Sequence, residues 1–445
     1  MQNKMDYPRE VAVKILYNIN NCGSYSNISL QKKLSDNKLK DIDKSFISHI
    51  VYGIIKNLNY IDWIISKSSK TKFNKISKWI KEILRLGVYQ VFFLDKVPDF
   101  AAVNECVKLS RKYSKGKADK FVNGVLRNII RNKESILKHK FCGDDELIIK
   151  YSYPEWLVDY LKEQYTMDEI KKYLVESLTT APTSIRVNTL KSNKEELKKS
   201  LSSDGIIFED NNICHESMII KDFSDITRYK AYQEGLFFIQ DEAATLVVDI
   251  LDPKPGEKVL DMCSAPGGKT THIGEKLENQ VGLIARDIYE HKINLIKENC
   301  KRLDLQNIKI ELKDGVNFYK EDINMYDKIL LDAPCSGLGI LRRKPDIKWK
   351  IKSNDIESII SIQKKLILNA YKYLKPGGTL VYSTCTINKH ENDGIVSYLL
   401  KEYPNAKVLK ITNYNKEITI EGKYIQTFPK LNEYDGFFIC KIQKN

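Results

Sequence analysis

Apolar residues recur at every third or fourth position from residue 8 to about residue 133. This spacing places them on one face of successive helices. The clearest stretches are Val11, Ile15, Leu16 and Ile19, followed by Phe46, Ile50, Val51 and Ile54. Turn-forming residues or charge clusters separate the stretches, and no strand-like alternation interrupts them. The pattern predicts a compact all-α bundle of short helices.

The pattern changes between residues 141 and 235. The PEWL sequence at 154–157 begins a predicted helix, residues 183–190 alternate like a strand, residues 194–201 are helical and residues 218–221 are extended. This order predicts a small α+β domain, RRM-like in kind, together with its linker.

Strand and helix patterns alternate regularly from residue 236 onward. The predicted strands are 258–262, 281–287, 308–312, 328–332 and 379–383. Such alternation is typical of a parallel sheet with helices on both faces. The sequence therefore predicts three domains: helical at 1–140, α+β at 141–235 and Rossmann-like α/β at 236–445.

The net charge of +14 is concentrated in the first third of the chain. Residues 1–140 carry 28 Lys and Arg against 12 Asp and Glu, whereas the remaining residues carry 44 against 46. A general lysine-rich composition would have affected both parts alike. The imbalance therefore favours binding of a polyanion by the helical domain.

The lengths of apolar runs and the spacing of cysteines argue against a membrane, secreted or metal-binding protein. The sequence has no run of about 18 apolar residues and no apolar signal core at its N-terminus, which predicts a cytoplasmic protein without a membrane partner. Its nine cysteines are scattered singly, without a CxxC pair or histidines at metal-ligand spacing. We expect reduced thiols, no metal site and a monomer.

A loop with adjacent glycines, CSAPGGKT at 263–270, follows the first strand of the α/β domain and opens onto a helix. Asp287 ends the second strand 20 residues beyond Gly267, which is the spacing of a carboxylate that binds ribose hydroxyls. Cys263 stands where a P-loop needs glycine, and the G-x-G-x-x-G dinucleotide motif is absent. A ligand with ribose and adenine but no pyrophosphate fits, so S-adenosylmethionine is the predicted cofactor.

Acidic residues also end the third and fourth strands, at Asp314 and Asp332. Any single aspartate at such a position is often only a turn or cap residue. Because the carboxyl ends of parallel strands meet at one edge of the sheet, acidic residues at successive strand ends indicate a binding crevice there.

Two cysteines follow the fourth and fifth strands, Cys335 in DAPCSG and Cys385 in STCT. A thiolate is an intrinsically strong nucleophile. Its addition to C6 of cytosine would make C5 an enamine-like carbon that accepts a methyl group. Asp332 is of the right type to protonate or hydrogen-bond N3, and Lys269 is a positive group that would favour the thiolate. These residues predict cytosine C5 methylation without deciding which thiol attacks.

Long segments across the chain resemble the RsmB (Sun/Fmu) family of 16S rRNA cytosine-C5 methyltransferases. The cofactor, second-cysteine and nucleophile motifs of that family are similar to DMCSAPGGKTTHI, LLDAPCSGLGILRRKPDIKW and VYSTCTINKHEN. The segments GIIKNLNYID, LRLGVYQVFFLDKVP and KFVNGVLRNIIR resemble its NusB-like domain, and PEWL, APTSIRVNT and FFIQDEAA are also family-like.

The resemblance implies a division of labour between the two cysteines. Cys385 would add to C6 and Cys335 would assist product release, with Asp332 and Lys269 facing the cytosine. In DNA cytosine methyltransferases the Pro-Cys cysteine is instead the nucleophile. Arg286 stands where the family usually has a small or apolar residue, so it could alter the ribose pocket. The residues implied to surround the cofactor are Cys263, Ser264, Ala265, Pro266, Gly267, Gly268, Lys269, Asp287, Asp314 and Asp332.

A basic run, Arg342, Arg343 and Lys344, follows the second-cysteine loop. It is either a solvated loop or a contact for RNA phosphates, with Trp349 available to stack on a base. The target cytosine must leave its stack to reach Cys385, so single-stranded or distorted RNA is expected. The implied partner is 16S rRNA or an assembling small ribosomal subunit.

The resemblance implies methylation of the 16S rRNA cytosine conventionally numbered 967. Methylation of another rRNA or tRNA site, methylation of DNA, and a non-catalytic RNA-binding or antitermination role are the alternatives. Intact Cys335, Cys385 and Asp332 argue against the non-catalytic role.

Overall fold

A computed structural model describes residues 6–36, 38–210, 214–221, 223, 225–411, 419–420, 423–430 and 433–445. The chain forms two compact units. The first comprises Met1–Leu178 and Leu341–Lys350, and the second comprises Thr179–Ile340 and Ile351–Asn445. Among the residues described, no helix is both long and apolar enough to cross a membrane.

The first unit is a helical bundle, as the apolar spacing predicted. Its core includes the fully buried side chains of Ile15, Leu16, Ile50, Ile54 and Ile83. A single π-helical turn lies at Glu146–Lys150. The helices are α1 (Tyr7–Cys22), α2 (Ser26–Leu34), α3 (Asp41–Lys56), α4 (Leu58–Ser68), α5 (Lys78–Phe93), α6 (Asp99–Ser114), α7 (Asp119–Arg131), α8 (Lys133–Leu137), α9 (Glu155–Lys162) and α10 (Met167–Leu178).

Local sequence signals fix both ends of α1. The Asp6 side chain accepts a hydrogen bond from the Arg9 amide at 3.1 Å, and Pro8 lies in the first turn, where its missing N–H costs nothing. The helix ends at Gly23, whose φ of 74° is left-handed and whose N–H binds the Asn18 carbonyl. The apolar face between these caps is buried in the bundle.

The second unit begins with a small antiparallel sheet of strand order β2-β3-β1-β4. Its strands are β1 (Thr183–Val187), β2 (Ile207–Asp210), β3 (Ser217–Lys221) and β4 (Phe237–Ile239), and its helices are α11 (Lys194–Ser203) and α12 (Lys230–Gln233). An Asn193–Glu196 capping box starts α11. The β4 strand lies beyond residue 235, the predicted end of the α+β domain. It nevertheless belongs to the small sheet, since it pairs with β1 and places Ile185 opposite Ile239.

The larger sheet of the second unit has the strand order β11-β12-β13-β9-β8-β5-β6-β7, with β10 beside β13. The pairings from β7 to β9 are parallel, and those of β10 to β13 are antiparallel. The strands are β5 (Val259–Asp261), β6 (Leu283–Asp287), β7 (Ile308–Leu312), β8 (Tyr326–Asp332), β9 (Leu374–Thr384), β10 (Lys407–Val408), β11 (Thr419–Ile420), β12 (Tyr424–Gln426) and β13 (Phe438–Gln443). The five predicted strands are confirmed, and the antiparallel edge is new.

Helices cover both faces of this sheet. Alternation along the strands sends Leu260 and Leu331 into one apolar core and Val259 and Leu330 into another. The remaining helices of the chain are α13 (Glu242–Leu251), α14 (Gly268–Lys276), α15 (Glu290–Leu303), α16 (Ile347–Lys350), α17 (Ser353–Tyr373) and α18 (Asp393–Glu402), of which α16 belongs to the first unit.

The strand order reverses direction beside β5. This strand lies between β6 and β8, so the chain moves outward to β7 and then crosses back to β8. Ligands of open α/β sheets bind in the crevice at the carboxyl ends of the strands where such a reversal occurs. The loops after β5, β8 and β9 all leave from this edge.

Candidate active site

The cofactor-loop sequence joins β5 to α14 through a tight turn. The Ala265–Pro266 peptide is cis, and Gly267 has a φ of 101°, which is a left-handed value that favours glycine. A Cβ on Gly267 would lie 3.3 Å from the Cα of Ile296 in α15. The adjacent glycines thus allow the loop to pass close to α15 and α14 to begin at Gly268.

Two polar side chains tie this loop to β6. The Ser264 hydroxyl donates to the Arg286 carbonyl at 2.8 Å. The carboxylate of Asp287 accepts the amide N–H of Ala265 and that of Tyr289, each at 3.2 Å. Asp287 therefore lies at the end of the second strand, with its carboxylate beside the cofactor loop.

A cleft of about 210 Å³ opens beside the loop. Its lining includes seven of the ten predicted cofactor residues, namely Cys263, Ser264, Ala265, Pro266, Gly268, Lys269 and Asp332. Residues that the sequence analysis missed complete the wall: Phe238, Ile239, Gln240, Asp241, Ala244 and Asp261. Phe238 and Ile239 belong to β4, so the small sheet contributes to the cleft.

Asp261 is a buried carboxyl group at the bottom of this cleft. Burial raises its pKa to about 7, although the hydroxyl of Thr270, 2.6 Å from Oδ2, acts in the opposite direction. Its Oδ1 atom is buried without a hydrogen-bond partner among the described residues. Because Asp261 lines the cleft, this oxygen is an acceptor that fits the amino group of S-adenosylmethionine.

Two further sequence expectations concern the rim beyond β6 and β7. Asp314 lies outside the cleft lining, and its carboxylate accepts the amide of Val316 at 2.9 Å, as a turn residue does. The guanidinium of Arg286 is buried against Asp322 and Glu311, at 2.6 and 2.8 Å. These ion pairs account for the arginine, and its side chain is absent from the cleft lining.

Lys269 and Asp332 form an ion pair at the edge of the cleft. The Lys269 amine donates to Oδ2 of Asp332 at 2.6 Å, and the Ser383 hydroxyl donates to Oδ1 at 2.8 Å. The same amine lies 5.3 Å above the ring of Phe437. Asp332 remains partly exposed while its two donors fix its orientation. These contacts join the start of α14 to the carboxyl ends of β8 and β9.

The two predicted cysteines meet at this rim. Their Sγ atoms are 3.2 Å apart, within hydrogen-bond distance for thiols. The hydrogen bond to Cys385, together with burial, raises the pKa of the Cys335 thiol. The Gly339 amide donates to the Cys385 carbonyl at 2.9 Å, which holds the loops after β8 and β9 together.

A buried glutamate that the sequence analysis did not single out supports both cysteine loops. Glu391 accepts the Ser336 amide at 2.8 Å and the side-chain amides of Asn388 and Gln363 at 2.8 and 3.1 Å. Gln363 also donates to the Pro334 carbonyl at 2.9 Å. The available signal was a charged residue within the NKHEN run, six positions after Cys385.

The predicted RNA-contacting residues belong to the first unit, within Leu341–Lys350. The indole Nε1 of Trp349 donates to the Ile55 carbonyl at 2.8 Å, and its ring packs against the helical core. Arg342 is buried, whereas Lys344 is exposed. This packing disfavours the predicted base stacking by Trp349, since its ring and its N–H already have partners.

One group in the described residues has the side-chain types of a metal site, Glu216, Asp249 and His272. The ammonium of Lys276 lies 2.7 Å from Glu216 and 3.2 Å from Asp249. This cation pairs with both carboxylates, so the arrangement is that of an ion-pair cluster.

Three segments of the chain match known families. Residues 248–443 match the family described as 16S rRNA methyltransferase RsmB/F, and residues 7–131 match the NusB family. Residues 153–227 match the ferredoxin-like domain of RsmF/B-like methyltransferases. These segments follow one another in the order of the observed folds.

Full-length relatives extend the match. The chain is 34% identical to the probable ribosomal RNA small subunit methyltransferase B of Bacillus subtilis, with 98% of each chain covered. The crystal structure of PH0851 has a TM-score of 0.81 and 26% identity, covering 99% of this chain and 100% of its own. That of NSun6 from Pyrococcus horikoshii with SFG has a TM-score of 0.61 and 25% identity, covering 66% and 99%. The chain therefore belongs to the RsmB/F family of 16S rRNA methyltransferases and is an S-adenosylmethionine-dependent methyltransferase with a NusB-type helical domain.

Proposed function

We propose that the protein methylates C5 of a specific cytosine in 16S rRNA through a covalent bond between a cysteine and C6. The observation that carries the proposal is the 3.2 Å separation of the Cys335 and Cys385 sulfurs. The Lys269–Asp332 ion pair lies at the same edge of the sheet, with Asp332 three residues before Cys335. Cytosine C5 chemistry needs a thiol nucleophile and a group that exchanges a proton with N3, and the second thiol fits the release step that the family resemblance implies.

The residues divide the reaction between them. Bound S-adenosylmethionine supplies an electrophilic methyl group. The Cys385 thiolate adds to C6, and Asp332, held by Lys269 and Ser383, exchanges a proton with N3. After methyl transfer a solvent water takes the C5 proton, and the electron pair of that bond forms the C5–C6 double bond. The bond from C6 to Cys385 then breaks to restore the thiolate, N3 returns its proton to Asp332, and Cys335 assists this release. Its sulfur lies 3.2 Å from the attacking sulfur, close enough to act at that step.

The proposed substrate is 16S rRNA or an assembling small subunit, with the cytosine conventionally numbered 967 as the target. The names of the full-length relatives and the family resemblance support this assignment. The basic first third of the chain would supply salt-sensitive affinity for RNA. We propose that the protein acts as a cytoplasmic monomer.

Cysteine variants test the chemistry. With radiolabelled S-adenosylmethionine and 16S rRNA, we expect Cys385→Ala to abolish methyl transfer. Cys335→Ala should instead accumulate a protein–RNA adduct that survives a denaturing gel, because attack proceeds but release fails. Cys22→Ala is the matched control, since Cys22 is an exposed cysteine of the first unit.

The alternatives predict different results. If Cys335→Ala abolished attack and Cys385→Ala were tolerated, the cysteine roles would be those of DNA cytosine methyltransferases. Binding of rRNA without any methyl transfer would indicate a non-catalytic factor. Bisulfite sequencing of rRNA from cells lacking the gene identifies the nucleotide, and persistence of every 5-methylcytosine there would contradict the substrate assignment.

A further inference from the structure

Arg186 is a fully buried arginine on β1 of the small sheet. Its Nε donates to the side-chain oxygen of Gln240 at 2.8 Å, and its Nη1 donates to Glu275 at 2.7 Å. Its Nη2 donates to the hydroxyl of Thr271 at 3.1 Å and approaches the Gly268 carbonyl at 3.5 Å. Arg186 thus joins the segments APTSIRVNT, FFIQDEAA and KTTHIGE of the sequence.

The partners of Arg186 belong to the wall of the cofactor cleft or to the helix behind it. Gly268 and Gln240 line the cleft. Thr271 and Glu275 lie on α14, which begins at Gly268. The guanidinium also lies 5.9 Å from the ring of Phe238, another lining residue. A single charged group therefore holds two sides of the cleft without being part of its lining.

The buried Arg186–Glu275 ion pair is not needed for the stability of the fold. Both side chains of the Arg186–Glu275 pair are 0% exposed and have lost their hydration. Burial raises the pKa of Glu275 to about 7 although the charge of Arg186 acts in the opposite direction. An apolar pair of similar volume often leaves stability unchanged or increases it, because desolvation offsets the attraction between buried charges. The gain from this ion pair is therefore directional: the fork of N–H donors fixes where its acceptors lie.

We propose that Arg186 is a positioning residue for S-adenosylmethionine, holding the start of α14 and the side chain of Gln240 in the geometry that binds the cofactor. The small sheet is then a structural part of the cofactor site. The inference deepens the methyltransferase assignment. Because it concerns cofactor binding, it is independent of which RNA nucleotide is modified and which cysteine attacks.

Asn188 offers a matched control on the same segment. It is also buried, and its side-chain amide donates to the Gly235 carbonyl at 2.9 Å and the Leu303 carbonyl at 3.1 Å. Neither of these acceptors lines the cleft. Asn188→Ala should therefore lower stability while leaving the affinity for S-adenosylmethionine within about twofold of the wild type. Sites that share no partners affect each other by no more than about that factor.

The test combines calorimetric binding of S-adenosylmethionine with urea unfolding of the full-length protein. The double variant Arg186→Met, Glu275→Leu removes the charges as a pair. Because Gln240 and Thr271 lose a donor, it should unfold at a lower urea concentration than the wild type, as Asn188→Ala does, while remaining folded without urea. Its Kd for S-adenosylmethionine should rise at least about tenfold, which is about 1.4 kcal/mol and no more than one hydrogen bond to a charged group contributes. Arg186→Lys keeps the charge but loses the fork, and should show a smaller rise.

Steady-state kinetics supply the second measurement. The KM for S-adenosylmethionine should rise in both Arg186 variants while the KM for rRNA stays unchanged. A stable double variant with wild-type affinity for S-adenosylmethionine would overturn the proposal, as would an equal loss of affinity in Asn188→Ala. If wild-type protein binds S-adenosylmethionine but methylates no cytosine, the proposed substrate fails and this inference stands.

Discussion

The imidazole of His272 is fully buried on α14, with Nε2 2.9 Å from a carboxylate oxygen of Glu216. Burial and the nearby charge of Arg186 lower the pKa of His272 to about 4, against the opposing effect of Glu216. Hydrogen bonds from His272 and Lys276, together with the charge of Lys276, outweigh burial at Glu216 and lower the pKa of that carboxyl. His272 is therefore a neutral hydrogen-bond donor in the folded protein.

This environment makes stability dependent on pH. The pKa of His272 is lower in the folded protein than the ordinary 6.5, so the unfolded chain binds the extra proton as pH falls from 6.5 towards 4. We expect the wild type to lose about 2 kcal/mol of stability from this group between pH 7.5 and pH 5. Urea unfolding at both pH values, compared with His272→Gln, measures this contribution.

The comparison with the variant isolates His272 from groups that act in the opposite direction, such as Asp261, whose raised pKa favours the folded state at low pH. Glutamine retains a donor for Glu216 but cannot be protonated. His215→Gln is the control, because His215 is exposed beside the same glutamate in the chain. An identical loss of stability on acidification in wild type and His272→Gln would refute the prediction.

The site residues at strand ends could be predicted from the sequence. The buried carboxyl groups behind them, Glu391 and Asp261, could not. Cys335, Cys385 and Asp332 each follow an apolar strand, so their common edge could be inferred before the structure. Glu391 and Asp261 act through burial, which depends on helices and loops that pack over them from distant parts of the chain. No local pattern specifies that burial.

At the scale of elements, the segment Leu341–Lys350 is fixed within the first unit by several hydrogen bonds. Asp346 accepts the amide and hydroxyl of Ser26 at 2.9 and 2.6 Å. The amine of Lys348 donates to the Lys56 carbonyl at 2.9 Å, and burial lowers the pKa of this lysine well below its usual value. These contacts make the segment a structural part of the helical unit.

Trp349→Ala should therefore destabilise the first unit. Loss of a half-buried indole and its hydrogen bond to Ile55 should cost roughly 2 to 3 kcal/mol. Urea unfolding followed by hydrogen exchange in α3 would detect the change, with the exposed Lys344→Ala as control. If Trp349→Ala instead weakened rRNA binding at unchanged stability, the indole would contact RNA after all.

Elements with a strong local pattern were predicted well. The five parallel strands and the helical bundle follow from apolar alternation and spacing alone. The strands β12 and β13 were not predicted from the sequence. They are antiparallel, and their position in the sheet depends on the pairing of β13 with β9 and of β12 with β13. The sequence of the basic run Arg342, Arg343 and Lys344 predicts a solvated loop or a contact for RNA phosphates, and it does not reveal the surface on which the segment Leu341–Lys350 packs.

At the scale of the whole molecule, the concentrated positive charge predicts salt-dependent RNA binding. Lys115, Lys117 and Lys120 are exposed on the turn from α6 to α7. Replacing all three by glutamine should reduce the slope of log K against log salt by up to about 2, because each phosphate contact to single-stranded RNA contributes about 0.7. Filter binding of 16S rRNA across a salt series measures the slope.

A triple glutamine variant of exposed lysines in the second unit, Lys199, Lys297 and Lys320, is the control for net charge. It changes the charge of the molecule by the same amount. Equal slopes for the two variants would show that the turn is not the contact and that affinity follows total charge.

The path of the chain through the first unit restricts how domains can be exchanged between related genes. Leu341–Lys350 is flanked on both sides by residues of the second unit. A gene fusion that exchanged only the first 178 residues would leave the ten-residue segment matched to the wrong helices. A working chimera needs both pieces from the same parent, so recombination at a single junction cannot exchange the helical unit as a module.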